Sequence, residues 1–257
     1  WILNANGRPT GLIGTIQNRV GDKIYPAHQT TPGPIEFQGL LAAMAAAGLQ
    51  ACVAEVSSHA LAQARVVRSR FAAAILTNVD RDHLDYHDDT HAYLAAKSLL
   101  FQSLPPGEGL AVLNLDDPSY AMIRPVCSGP VLRYGFSEDA EVRGVISWSG
   151  PKYQILGVET GNETAAFCLP LPGRANAANA LAALALTTAE GIPLTEATRA
   201  LVAFPGVPGR FEPIDCGQPF TVLVDYAHNP AALRQLLATV RTHTRGRVIV
   251  VFGCEGG

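Results

Sequence analysis

The chain has 257 residues, 48% of them hydrophobic and 16% charged, with a formal net charge of −3. That is too apolar for a disordered chain, long enough for one large domain or two ordinary ones, and too balanced in charge for a basic nucleic-acid-binding surface. No run of about 18 apolar residues lacks a polar break, Trp1 to Gly14 has no signal-peptide pattern, and the cysteines form no CxxC pair, so a membrane span, a leader, a zinc ribbon and a disulfide scaffold are not expected.

Residues 11–16 (GLIGTI) read as a strand and 17–34 as a polar, turn-rich stretch. Pro34 opens a helix that Gly48 stops. ACVAEV (51–56) is a short buried-type strand, and Ser57 or Ser58 caps the helical stretch that follows. FAAAILTN (71–78) is a strand, 87–101 an amphipathic helix, and GLAVLNLDD (109–117) a strand ending in an acidic turn. This alternation predicts an α/β fold with a mostly parallel sheet. Segments 131–134, 141–148, 153–158 and 164–169 suggest a small antiparallel patch. Helices over 175–191 and 194–203 come next, then a Pro- and Gly-rich stretch at 205–219 that reads as a linker. TVLVDYA (221–227), a helix from about 230 to 243 and RVIVVFG (247–253) make a fresh β-α-β start. We therefore expect two domains, 1–215 and 216–257. The start at Trp1 and the stop after a glycine-rich turn suggest an excerpt of a longer protein.

Polar residues placed directly after apolar strands point to a ligand crevice. Four such places stand out: Glu55-Val-Ser57-Ser58-His59, Asn78-Val-Asp80-Arg81-Asp82-His83, Asn114-Leu-Asp116-Asp117 and Asp225-Tyr226-Ala227-His228. Glu55 has two readings, a partner for a helix N-terminus or a Mg²⁺ ligand. His83, His87 and His91 recur every fourth residue, but without HExxH and amid aspartates they do not read as a zinc site. His83 stays open as a Mg²⁺ neighbour. Lys97 is either a surface lysine lying along apolar neighbours, an anion-binding cation, or a chemically modified side chain, because an ammonium has no lone pair for metal. Asn176 suits a helix cap, which leaves Asn179 without a role. Arg210 is either a surface charge or a nucleotide clamp.

HQTTPGP, AEVSSHALAQARV, TNVDRDHLDYH, AAKSLLF, NLDDP, LPGRANAANALAA, GRFE and VDYAHNPAAL follow one another in this order. The series resembles the Mur ligases across residues 11–257, and within them the enzymes that add the third residue of the peptidoglycan stem peptide. The resemblance implies a central ATPase domain followed by the start of a Rossmann-like C-terminal domain. It implies an ATP-dependent amide ligase that adds meso-diaminopimelate or L-lysine to UDP-N-acetylmuramoyl-L-alanyl-D-glutamate through an acyl phosphate. Two Mg²⁺ ions would assist, with Glu55 a ligand of the first, His83 of the second, and Lys97 carbamylated to accept metal. Thr30, Thr31, Ser57, Gln63 and Arg65 would hold the UDP-muramoyl-peptide. Asn176, Asn179, Arg210, Asp225 and His228 would embrace ATP. The same resemblance implies a monomer in the bacterial cytoplasm, with no nucleic-acid partner and no membrane insertion.

The family's GTNGKTT phosphate loop would lie upstream of Trp1, and the segment that selects the incoming amino acid would lie downstream. The 257-residue chain alone is accordingly expected to show no ligase activity. FGCEGG carries Glu255 where glycine is commoner, and nothing in the sequence explains it. Two other readings share the core: a folylpolyglutamate or cyanophycin synthetase, and a catalytically inactive binding module.

Overall fold

A computed structural model describes residues 1–79 and 89–253. α1 (Ile2–Ala5) is a single turn that sinks Ile2 into the core. β1 (Thr10–Ile13) alternates half-buried and buried positions and ends on a fully buried Ile13. The chain then returns through β2 (Gln17–Val20) and β3 (Lys23–Pro26), both antiparallel to their neighbours. This hairpin lies inside the stretch the sequence suggests is only turns. Its outer strand buries no side chain, so no apolar alternation marked it.

α2 (Pro34–Ala46) begins at Pro34, whose missing N–H costs nothing in a first turn. β4 (Ala51–Ala54) lies parallel to β1, with Thr10 opposite Ala51 and Ile13 opposite Ala54. The first sheet therefore has the order β3-β2-β1-β4. α3 (Ser58–Ala62) starts at Ser57, whose hydroxyl accepts from the Ala60 N–H at 3.2 Å.

The second sheet is built from β5 (Ala73–Leu76), β6 (Leu110–Asn114), β7 (Val131–Gly135), β8 (Val142–Ser149), β9 (Gln154–Glu159) and β10 (Thr164–Leu169), in the order β10-β9-β8-β7-β6-β5. α4 (Thr90–Gln102), capped by Asp89, and the short α5 (Tyr120–Ile123) cover one side of β5 and β6. β7 is parallel to both neighbours, so it is not part of an antiparallel patch, which starts only at the β8–β9 pair. The cause is local. Asp116 takes the amides of Phe136 and Ser137 at 2.7 and 3.0 Å, which turns the chain aside, and β8 overlaps β7 by two residue pairs.

α6 (Arg174–Ala189) packs on β5 to β8 and α7 (Leu194–Val202) on β10, and the largest core cluster lies between these helices and the sheet. Alanine at 177, 180 and 185 lets α6 approach closely, and Leu181 fills the space over Gly144. Inside the stretch expected to be a linker, β11 (Glu212–Ile214) forms and pairs with β12 (Val222–Val224), and α8 (Pro230–His243) follows with Asn229 as its cap. The expected strand at 247–253 is not formed. No described strand offers it hydrogen bonds, and Ile249, Val251 and Phe252 are exposed. Among the described residues, no helix is long and apolar enough to cross a membrane.

Candidate functional site

Because β1 and β4 run parallel, their C-terminal ends open side by side. Gly14 and Thr15 follow β1, and Glu55 follows β4. The Glu55 backbone is fixed from two sides: its N–H donates to Ile13 O at 2.9 Å, and its carbonyl accepts from Thr31 Oγ1 at 2.8 Å. Its side chain is exposed, yet Oε2 accepts from both the N–H of Thr15, at 3.0 Å, and the Thr15 hydroxyl. Thr15 Oγ1 lies 3.1 Å from Thr30 Oγ1.

Thr31 is fully buried and links two loops, since its hydroxyl also accepts from the Ser57 N–H at 3.0 Å. Arg65 closes the cluster. Its guanidinium donates to Gln63 Oε1 at 2.9 and 2.6 Å, to Gln29 Oε1 at 2.5 Å and to Thr31 O at 2.8 Å. Ala64 makes this possible by taking the left-handed conformation, φ 54°, at the end of α3, a strained choice for a residue with a Cβ. Arg65 is half-buried, and among the described residues neutral oxygens hold it and no carboxylate pairs with it. A fixed cation of that kind suits an anionic ligand. Thr30, Thr31, Glu55, Ser57, Gln63 and Arg65 therefore form one connected cluster, drawn from two motifs that lie apart in sequence, HQTTPGP and AEVSSHALAQARV.

Lys97 lies on α4, which packs against α3, with its Nζ 5.0 Å from the Tyr93 ring centre. His83 lies outside the described residues, as do Asp80, Arg81 and Asp82. Among the described residues, no three His, Cys, Asp or Glu side chains converge as a metal site.

The five residues expected around ATP fall in three settings. Asn179 lines an open cleft of about 270 Å³ at the ends of β5 and β6, together with Asn78, Asn114, Asp116, Asp117 and Arg174. Asn176, one turn earlier, donates to Pro172 O at 2.8 Å and so serves the helix start. Arg210 stacks on Tyr226, 4.3 Å from the ring centre. Asp225 accepts from the N–H groups of Phe211 and Ala227 at 2.7 and 2.8 Å, and the His228 ring stands edge-on to Tyr226. These three surround the joint before α8, not the Asn179 cleft.

Thr15, Arg174 and Tyr134 escaped the sequence reading, while Asp116 was marked by its strand end and not by its partner. Thr15 sat inside a run read as strand. Asp116 and Arg174 pair at 3.7 Å, and Arg174 stacks on Phe136 at 3.9 Å, a contact between segments far apart in sequence. Under the cleft, Tyr134 is fully buried and donates to Leu76 O at 2.9 Å. Burial, reinforced by Asp117 and Asp116, pushes its phenol far above the usual range, so it remains a donor.

Residues 1–187 match the Mur ligase middle domain, and residues 209–257 match the Mur ligase glutamate ligase domain. The chain belongs to the Mur ligase family. It is similar to the UDP-N-acetylmuramoyl-L-alanyl-D-glutamate–2,6-diaminopimelate ligase of Gloeobacter violaceus, with 44% identity over 249 residues, 96% of this chain and 50% of that protein. The enzyme of the same name from Bacillus licheniformis is 40% identical over 260 residues, 99% of this chain and 53% of that one. A solved structure of such a ligase superposes with a TM-score of 0.82 at 28% identity, covering 99% of this chain and 52% of that one. The chain thus spans about half the length of the curated relatives it matches. The middle-domain match contains the Glu55 cluster and all of the Asn179 cleft's lining except Gln235, which lies on α8 in the second match of this Mur ligase chain.

Proposed function

We propose that the protein to which this chain belongs is an ATP-dependent amide ligase of peptidoglycan precursor synthesis. Its substrates would be UDP-N-acetylmuramoyl-L-alanyl-D-glutamate, ATP and either meso-diaminopimelate or L-lysine. The observation that carries this reading is the single connected cluster of Glu55, Thr30, Thr31, Ser57, Gln63 and Arg65 at two parallel strand ends, in a chain about 40% identical to ligases of that name. In the proposed reaction a substrate carboxylate oxygen attacks the γ-phosphorus, and ADP leaves. The amine of the diamino acid then attacks the acyl carbon, the C–N bond forms, and phosphate departs as the amine loses its proton. Phosphoryl transfer of this kind needs positioning and charge neutralisation more than covalent help.

Arg65 would hold an anionic part of the muramoyl-peptide, and the threonine hydroxyls would fix its polar groups. Asn179 and the cleft around it, with Asn176, Arg210, Asp225 and His228 nearer the joint, would receive ATP. Exposed Glu55, next to the hydroxyls of Thr15 and Thr30, offers the hard oxygen donors that Mg²⁺ prefers. Glu55, His83 and a carbamylated Lys97 would hold two such ions. When bound, they neutralise phosphate charge. The division into domains at 1–215 and 216–257 belongs to the same proposal, with β11 reaching across it to pair with β12. So do a monomeric state, a bacterial cytoplasmic location and the absence of nucleic-acid or membrane partners.

The test incubates the full-length protein with UDP-muramoyl-dipeptide, ATP and each diamino acid, and reads phosphate release and product mass. We expect one phosphate per added diamino acid. Glutamate addition to a folate, with no turnover of the muramoyl-dipeptide, would overturn the reading.

A further inference from the structure

Thr15 belongs to no motif so far given a role, yet it contributes more to the setting of Glu55 than any other side chain described. Its amide and its hydroxyl both reach the same oxygen, Oε2. Oε1 accepts no hydrogen bond among the described residues and faces Gly14, where a Cβ would stand 3.2 Å away. A threonine hydroxyl has one proton and two lone pairs, while a carboxylate only accepts. With that proton directed to Glu55, the 3.1 Å contact to Thr30 is made by the Thr30 hydroxyl donating to Thr15. One residue thus ties down Oε2, leaves Oε1 without a hydrogen-bond donor among the described residues and orients the hydroxyl of Thr30.

We infer that Thr15 is a positioning residue that presents the Glu55 carboxylate to a divalent cation. This rests on the reading of Glu55 as a Mg²⁺ ligand. Outer partners of ligating carboxylates typically govern metal affinity by about 10- to 100-fold. Thr15→Ser keeps both donors, while Thr15→Val and Thr15→Ala keep the amide but lose the hydroxyl.

The experiment uses the full-length protein in five forms: unaltered, Thr15→Ser, Thr15→Val, Thr15→Ala and Glu55→Gln. Three properties are read: Mn²⁺ binding followed by electron paramagnetic resonance, the Mg²⁺ concentration for half-maximal phosphate release, and the melting temperature. The inference expects Thr15→Val and Thr15→Ala to weaken Mn²⁺ binding, and raise the Mg²⁺ requirement, by about 10-fold or more. Thr15→Ser should stay within about 3-fold of the unaltered protein, and folded Glu55→Gln should bind weakest. If Glu55→Gln weakens binding while Thr15→Val and Thr15→Ala do not, the inference falls and the Glu55 reading survives. A Thr15→Ser as impaired as Thr15→Val also overturns it. If Glu55→Gln leaves binding unchanged, the metal reading itself fails and takes the inference with it.

Discussion

Lys97 illustrates how far one side chain can be read. Its neighbours in sequence mark it as a lysine lying along apolar surface, and its placement near the Tyr93 ring agrees with that. Only the family resemblance makes it a carbamate. The two differ in outcome. As a carbamylated metal ligand, Lys97→Ala in the full-length protein should lower turnover on the order of 10²-fold, with partial recovery on adding short carboxylic acids. Unchanged turnover returns it to the surface reading. Residue identity was legible where a polar side chain follows an apolar strand, as at Glu55 and Ser57. Thr15 was not legible, because threonine in a β-like run is what strand propensity alone produces. Nor was the tie between Asp116 and Arg174, since no local pattern encodes which distant segments meet.

Helix α6 shows why the element scale was easier. Its alanine and leucine run predicts a helix wherever it packs, and the structure adds only its target. That target is specific: a Cβ on Gly144 would lie 2.5 Å from Leu181 Cδ1. Gly144→Ala should therefore cost about 1–3 kcal/mol by overpacking. Leu181→Ala should cost about 2–5 kcal/mol by cavity formation. Because the truncated leucine clears the space that the new methyl needs, the double variant should lose less than the sum. Urea denaturation of all three measures this, and strict additivity would mean that the two residues do not share that space. The β2–β3 hairpin was the element the sequence concealed. Register there is held by backbone pairing, and the outer strand has no buried face. The parallel β7–β8 pairing was concealed for another reason, since the turn after β7, held by Asp116, sets it.

For the molecule as a whole, the α/β class and most of the element order were legible from alternation, while the division of the described strands into sheets of four, six and two was not, because pairing partners leave no periodic trace. Some consequences belong only to the whole chain. Burial pushes the Cys52 thiol up to about 11 from 9.0, and raises Cys127 and Tyr134 as well. Above pH 9 the unfolded chain gives up those protons while the folded chain keeps them, so stability is full below that pH and falls as pH rises towards 11. Melting temperatures between pH 8 and 11 should decline, and Cys52→Ala should flatten the decline. An unchanged slope would show that the thiol is not protected. The two tryptophans sit in different settings, Trp1 within the larger unit and Trp148 beside its contact with α8. Trp1 donates to Ala200 O and stands edge-on to Phe204, just before the Pro-rich stretch. Trp148 lies against Tyr153, beside Ser149, which meets His243 of α8. With Trp1 and Trp148 its only two indoles, the chain carries a built-in reference and a built-in reporter, and any rearrangement of the Ser149–His243 contact would register as a change in Trp148 emission without an added label.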